Sequence, residues 1–327
     1  MENKKKRVVA LAFSDLHLNI YGKFNENNKR TLNHFKVLSV IKDKCKEYQC
    51  PALFCGDILH KPENIDQGLM EVIYQEFEKL RLRENQIELF AISGNHDISK
   101  VSIIGKKPFS WLKFLEQFGI ECIDYKKKLI FPDISIYGIP YIDHNVGLSE
   151  YINKMKIEVD GDKNILLLHT DYPGARDTDG RTVDSVENLN LNVLKKFDLV
   201  LCGHIHKPQR LSKKVYMIGA PLQQRRTDRD CNMGYWKIYS DLSMKFVPLE
   251  DFPRFIDVEN PEEIKDDGNY YTVIPKKEEK PQQQVNKIHK NLSKIKLARQ
   301  YMKAKGIKDK EKLRLLKEVL RKSDSND

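Results

Sequence analysis

Five short strings in this chain bring together residues that bind hard or borderline metal ions. They are Asp15-Leu16-His17, Gly56-Asp57, Gly94-Asn95-His96-Asp97, a lone His169, and Gly203-His204-Ile205-His206. Each follows a run of apolar, β-prone residues, so each places carboxylate, amide or imidazole donors where a strand should end. Oxygen and imidazole nitrogen without thiolate suit pairs of Mn, Fe, Mg or Zn better than a structural tetrahedral zinc. Two cations about 3.5–4 Å apart can screen the oxygens of a phosphodiester, acidify a water between them and stabilise the leaving alkoxide. Taken singly the strings say little: Asp-x-His reads as a capped turn, Gly-Asp as a turn, and a lone histidine as a satisfied core residue. All five in this order imply a hydrolase of phosphate esters with a two-metal centre.

The elements that must carry them are legible as hydrophobic periodicity. Strand-like runs at Val8–Phe13, 52–55 and 89–92 alternate with helical segments over about 30–47 and 68–82. This β-α-β-α-β opening argues for parallel strands with crossover helices. The second half reads as short strands at 129–131, 134–137, 165–168, 199–202, 215–218, 235–239 and 244–247, with 270–274 as one further strand. The expected fold class is α/β, two sheets packed face to face with helices outside. Gly56 lets the backbone turn so that the Asp57 carboxylate points inward. His204 and His206 are two apart, so strand alternation would put them on one face, each reaching a different metal.

Composition adds an anionic partner. The chain of 327 residues carries a net charge of +10, and residues 276–327 hold 17 Lys and Arg against 7 Asp and Glu. The tail therefore carries the whole excess over a neutral body. The expected divisions are a catalytic domain at 1–250, a short extension at 251–275, a polar linker at 276–284 and a basic helical tail at 285–327. In that tail, apolar residues recur at helical spacing before Gly306, and Asp309 caps a second helix. Its stripes suit docking on a partner helix, and its charge suits DNA contact. Six cysteines without a CxxC pair read as free thiols in a reduced, intracellular protein. That places it in the cytoplasm, or in the nucleus of a eukaryote, where Lys4-Lys5-Lys6-Arg7 could act as an import signal. No apolar run is long enough for a membrane span.

The strings resemble the calcineurin-like metallophosphoesterase superfamily, whose pattern D-x-H, G-D, G-N-H-D/E, H, G-H-x-H is complete over about residues 7–250. The resemblance implies a two-sheet α/β sandwich flanked by helices. It also implies a first metal held by Asp15, His17 and His206, a second held by Asn95, His169 and His204, and Asp57 bridging them. Within that superfamily the chain resembles the SbcD-type DNA-repair nucleases. The features are His60 in Gly56-Asp57-Ile58-Leu59-His60, the stretch from Val215 through Pro221 to Gly234-Tyr235-Trp236, and the basic helix pair of the tail. That resemblance implies DNA as substrate, manganese as activator, an SMC-like coiled-coil ABC ATPase as partner, and a homodimer with contacts around 68–82 and 109–118. It implies that His96 touches the scissile phosphate or protonates the leaving oxygen, with His60 beside it; His60 reads equally as an exposed loop residue.

Basic residues after the motifs are candidates for phosphate backbone contact: Lys23, Arg30, Lys106, Lys107, Arg176, Arg181, Arg225 and Arg226, with the Arg225-Arg226 pair foremost. Two rival functions stay open. One is a small-molecule phosphodiesterase or protein phosphatase on the same scaffold; the other is a DNA-bound scaffold protein with a relict metal site.

Overall fold

The computed structural model describes residues 6–61, 65, 67–99, 110–142, 147–157, 163–184 and 189–274. The expected linker and helical tail lie outside these residues, as do Lys106 and Lys107. The described residues to Val273 form one compact unit.

The chain runs β1 (Val8–Phe13), α1 (Lys29–Tyr48), β2 (Ala52–Phe54), α2 (Gln67–Leu80), β3 (Leu89–Ala91), α3 (Leu112–Leu115), β4 (Ile120–Cys122), β5 (Lys127–Phe131) and β6 (Ile134–Ile139). It continues through α4 (Leu148–Lys154), β7 (Lys163–His169), β8 (Leu199–Gly203), β9 (Gln209–Arg210), β10 (Val215–Met217), β11 (Gly234–Tyr239), β12 (Met244–Pro248), β13 (Phe255–Val258) and β14 (Tyr270–Val273). One sheet has the order β12-β11-β1-β2-β3-β4 and the other β5-β6-β7-β8-β10-β9. The inner strands of both are parallel, and β11, β12, β5 and β9 run antiparallel at the flanks.

Alternation along the strands sorts the side chains into layers. In β2, Leu53 faces the space between the sheets, while Ala52 and Phe54 face α1 and α2. In β7, Ile165 and Leu167 join the same inter-sheet core, while Leu166 and Leu168 pack outward with Leu148 and Ile152 of α4. Both faces of each sheet are thus covered, which parallel sheets require. Trp236 of β11 lies in the inter-sheet core and its indole N–H donates to the Ile218 carbonyl at 3.0 Å, tying the two sheets together. The six cysteines are buried free thiols. Among the described residues no helix is long and apolar enough to cross a membrane.

The extension is the parallel pair β13 and β14, which falls in the same compact unit as the sandwich. Phe255 and Tyr270 meet the ring of Phe24, and the Phe255 N–H donates to Gln223 Oε1 at 2.7 Å.

Candidate metal centre

The strings lie where parallel strands β1, β2, β3, β7 and β8 end, the edge at which α/β sheets present functional groups. The ladder continues past β1 and β2. Asp15 N–H donates to Gly56 O at 2.9 Å and His17 N–H to Asp57 O at 3.0 Å. Four of the expected ligands sit on left-handed backbone: Asp15 (φ 52°), His17 (φ 49°), Asp57 (φ 60°) and His204 (φ 94°). Each costs on the order of 1 kcal/mol for a residue with a Cβ and persists only where its surroundings hold it. Clustered here, they turn consecutive side chains into one pocket that regular strand geometry could not fill. Gly56 is required twice over, by φ +96° and by the His169 ring packed where a Cβ would stand. A Cβ on Gly94 would likewise collide with the Asp57 carboxylate.

The side chains converge on two foci. Asp15, His17 and His206 form one trio and Asp57, His169 and His204 a second, with ligand atoms within 4.8 Å of one another in each. His17 Nε2 and His206 Nε2 face each other at 3.1 Å. Asn95 Oδ1 lies 3.1 Å from His169 Nε2 and 3.0 Å from His204 Nδ1, so Asn95 joins the second trio. Asp57 Oδ2 stands 3.7 Å from His17 Nε2 and 3.3 Å from His169 Nε2, between the two groups. All seven expected metal ligands are therefore brought together. His204 and His206 do reach different foci, but not by strand alternation. β8 ends at Gly203, and the left-handed turn at His204 sends the two imidazoles apart.

Charge and burial oppose one another here. Burial holds the His17 imidazole well below its ordinary range, and burial with the nearby His169 lowers His204. Burial also works to lower His169, but the Asp57 and Asp15 carboxylates outweigh it and carry His169 up to about 9. Burial alone would raise Asp57; the imidazoles of His169, His17 and His96 outweigh it and hold that carboxylate below its usual range. Oxygen and imidazole donors aimed at two shared points fit a pair of divalent cations, with Asp57 placed to serve both.

His96 lines the mouth of this centre. Its Nδ1 lies 2.5 Å from the His60 carbonyl, and its N–H donates to Asp57 Oδ1 at 2.8 Å. The two rings of His60 and His96 stack at 5.6 Å with a 6° interplanar angle. His60 is thus a neighbour of His96, and its backbone carbonyl fixes which ring nitrogen of His96 faces the cleft.

Three residues that matter here were given no role by the sequence. Asp97 is fully buried and its carboxylate accepts from the N–H groups of Asp57, Ile58, Leu59 and Gly94 at 2.7–3.1 Å, pinning the Asp57 loop to the Asn95 loop. Gln224 and Asp228 support the first trio from behind. Asp97 stands in the third string, and a carboxylate after Asn-His could have been read as a loop pin; Gln224 and Asp228 carry no local signal.

The centre opens into a cleft of about 700 Å³ lined by Lys23, His60, His96, Asp171, Thr178 and Arg225, among others. Of the arginines expected on a phosphate backbone, Arg225 is the one that is both exposed and on the cleft wall, its side chain 53% accessible. Arg226 is held by Asp257 in a two-point pair at 2.6 and 3.1 Å, and neither it nor Arg181 lines the cleft. Arg176 is exposed, away from that wall. Arg30 also lines the cleft, but it is 6% exposed, its guanidinium donates to Lys23 O and Gln224 O, and it lies over the Tyr21 ring at 3.9 Å. Its charge is thus shared between two carbonyls and an aromatic face.

Behind the centre, His34 is buried with Nδ1 2.9 Å from Arg30 O and Nε2 3.1 Å from the Tyr21 hydroxyl. Burial pushes it down to about 4. A histidine with a folded pKa below its unfolded value of about 6.5 stabilises the fold above that value, and this stabilisation is lost as pH falls from 6.5 through 4. The loss is about 3 kcal/mol. In thermal melts between pH 7 and pH 4, a His34→Gln variant is expected to show a shallower fall in Tm than the parent, by up to one proton's dependence; parallel curves contradict this.

The sequence model of the family described as calcineurin-like phosphoesterase matches residues 9–208. The chain is 22% identical over 278 residues to the SbcD component of the SbcCD nuclease of Staphylococcus epidermidis, covering 75% of this chain and 74% of that one. Among solved structures, the protein TT1561 of Thermus thermophilus is 13% identical with a TM-score of 0.43, covering 75% of this chain and 99% of that one. A Staphylococcus aureus protein provisionally described as a 5'-nucleotidase is 14% identical with a TM-score of 0.43, covering 73% and 52%. At such scores neither bears on activity.

Proposed function

This chain belongs to the calcineurin-like phosphoesterase family, and we propose that within it the protein is a metal-dependent nuclease that hydrolyses DNA phosphodiester bonds. The observation that carries the reading is the convergence of two donor groups on either side of Asp57. Asp15, His17 and His206 would hold one divalent cation, Asn95, His169 and His204 a second, and Asp57 both. Bound there, the cations supply Lewis acidity, screening the phosphate and activating a water.

The chain's own residues do the rest. Burial keeps His17 and His204 unprotonated, so their lone pairs are available at neutral pH. With its Nδ1–H on the His60 carbonyl, His96 turns Nε2 to the cleft, where it would contact the phosphate and, when the ring carries a second proton there, hand that proton to the leaving oxygen. Lys23 and Arg225 offer positive charge on the cleft wall to a phosphate backbone. DNA as the substrate is supported by the relative's description as a nuclease and by the charge of residues 276–327. Manganese as activator, an SMC-like coiled-coil ATPase as partner and a second copy as dimer mate rest on the sequence resemblance to SbcD-type nucleases alone.

The test is cleavage of linear and supercoiled DNA beside hydrolysis of cyclic nucleotides and a phosphopeptide, each with Mn²⁺ and with EDTA. Cleavage of DNA that EDTA abolishes is expected. DNA left intact while a small phosphodiester or the phosphopeptide is hydrolysed would overturn the nuclease reading.

A further inference from the structure

We propose that Gln224 is a positioning residue for the first trio alone, and that it takes its own position from the extension β13–β14. The inference rests on the reading above in treating that trio as a cation site; it does not depend on DNA being the substrate.

Asp15 and His17 occupy strained left-handed backbone, and their N–H groups are spent on the ladder to β2. Three consecutive carbonyls on the other side of this turn, those of Asp15, Leu16 and His17, still need donors. Gln224 Nε2 lies 3.3 Å from Asp15 O and 3.2 Å from Leu16 O. Tyr21 Oη lies 3.1 Å from His17 O and 2.9 Å from Gln224 Oε1. The Gln224 amide thus serves two of the three carbonyls, and the Tyr21 hydroxyl stands against the third, its single proton shared among His17 O, Gln224 Oε1 and His34 Nε2.

The same turn reaches the third member of the trio. The Gln224 N–H donates to Asp228 Oδ2 at 2.8 Å, and Asp228 Oδ2 stands 3.9 Å from His206 Nδ1. Gln224 is therefore linked to Asp15 directly, to His17 through Tyr21, and to His206 through Asp228. Gln224 itself touches none of Asn95, His169 and His204; the one tie to the second trio is the His204 N–H, which donates to the Asp15 carboxylate at 3.1 and 3.2 Å.

What fixes Gln224 is the extension. Arg30 Nη2 donates to its carbonyl at 2.6 Å, and the Arg30 guanidinium lies over the rings of Phe255 and Tyr270 at 5.2 and 5.3 Å. The preceding Gln223 is 4% exposed; it accepts from Phe255 N–H and donates to the carbonyls of Arg229 and Cys231. Neighbouring glutamines thus face opposite ways, one gripping β13 and the other the metal loop. The β13–β14 pair supplies a wall that seats Arg30 and Gln223, which in turn seat Gln224.

The experiment is a Mn²⁺ binding isotherm on the full chain, by calorimetry and by electron paramagnetic resonance, without DNA. Gln224→Leu is expected to bind one cation as the parent does and the other about 10–100-fold more weakly, the range for losing a group that orients a ligand. On a phosphodiester substrate, kcat should fall more than KM changes; Gln224 also lines the cleft, so the one-cation isotherm separates support of the ligands from contact with substrate. Two cations bound with parental affinity would overturn the proposal, and so would equal weakening of both, which is what general loosening would give. If Gln224→Leu does not fold, Tyr21→Phe decides. It keeps the ring under Arg30 and removes the hydroxyl, so one weakened cation supports the proposal and a parental isotherm overturns it. Because no nucleic acid is present, failure of the nuclease reading leaves this outcome unaffected.

Discussion

Asp57→Asn is expected to lower phosphodiester cleavage by about 10³-fold, the several kcal/mol that cation-assisted charge stabilisation supplies. The substitution is isosteric, so it tests charge and not packing. Asp57 stands between the two donor groups, with Oδ2 3.7 Å from His17 Nε2 and 3.3 Å from His169 Nε2. A neutral amide offers one weak acceptor there where the carboxylate offers two charged oxygens. His169 also loses the group that does most to raise it to about 9, so its proton affinity falls. The buried carboxylate of Asp97 still accepts the neighbouring loop amides, and the fold should survive. The checks are kcat/KM on DNA and a Mn²⁺ isotherm with weakened binding of both cations. Cleavage within tenfold of the parent would contradict the assignment.

His96→Ala is expected to lower kcat by about 10²–10⁴-fold, the range for losing a general acid or base, while both cations stay bound. Asp57 and His96 thus separate by their metal signature. His96 stands at the cleft with its Nδ1 committed to the His60 carbonyl, so its remaining nitrogen faces substrate. Removing the ring takes away a proton donor and none of the two donor groups. Since the fixing contact is made by the backbone of residue 60, His60→Ala should cost much less than His96→Ala. Equal losses would assign the proton to the His60 ring. A His96→Ala protein that has lost Mn²⁺ would make His96 a ligand.

Much of the fold was legible because its strands are short apolar runs between polar turns and its first two helices repeat apolar residues at helical spacing. The helix expected at 30–47 is α1 at Lys29–Tyr48, and the one expected at 68–82 is α2 at Gln67–Leu80. The helix expected around 109–118 contains α3 at Leu112–Leu115, while β4 and α4 were not read; three to seven residues are too few for a period to register. β13 was missed for a different reason. Phe255-Ile256-Asp257-Val258 becomes a strand through tertiary partners, with Gln223 taking the Phe255 N–H and Arg226 and Arg229 pairing with Asp257.

At the site, the residue types were legible and the supports were not. Donor chemistry and order along the chain picked out the five strings, and the resemblance they carry named Asp15, His17, Asp57, Asn95, His169, His204 and His206 as ligands. Gln224 reaches back some 208 residues to Leu16, and nothing local in sequence announces such a contact. Arg30 lines the cleft, as charge near a motif suggests, but its burial among Tyr21, Phe255 and Tyr270 depends on residues far along the chain and was not legible. The face-sharing argument for His204 and His206 reached the right pairing through the wrong geometry, since the strand had already ended.

The most direct measurement is anomalous scattering at the manganese edge from crystals grown in Mn²⁺. Two peaks about 3.5–4 Å apart are expected, with Asp57 between them, His17 and His206 beside one, and His169 and His204 beside the other. A single peak, or none at saturating ion, would contradict the two-cation centre.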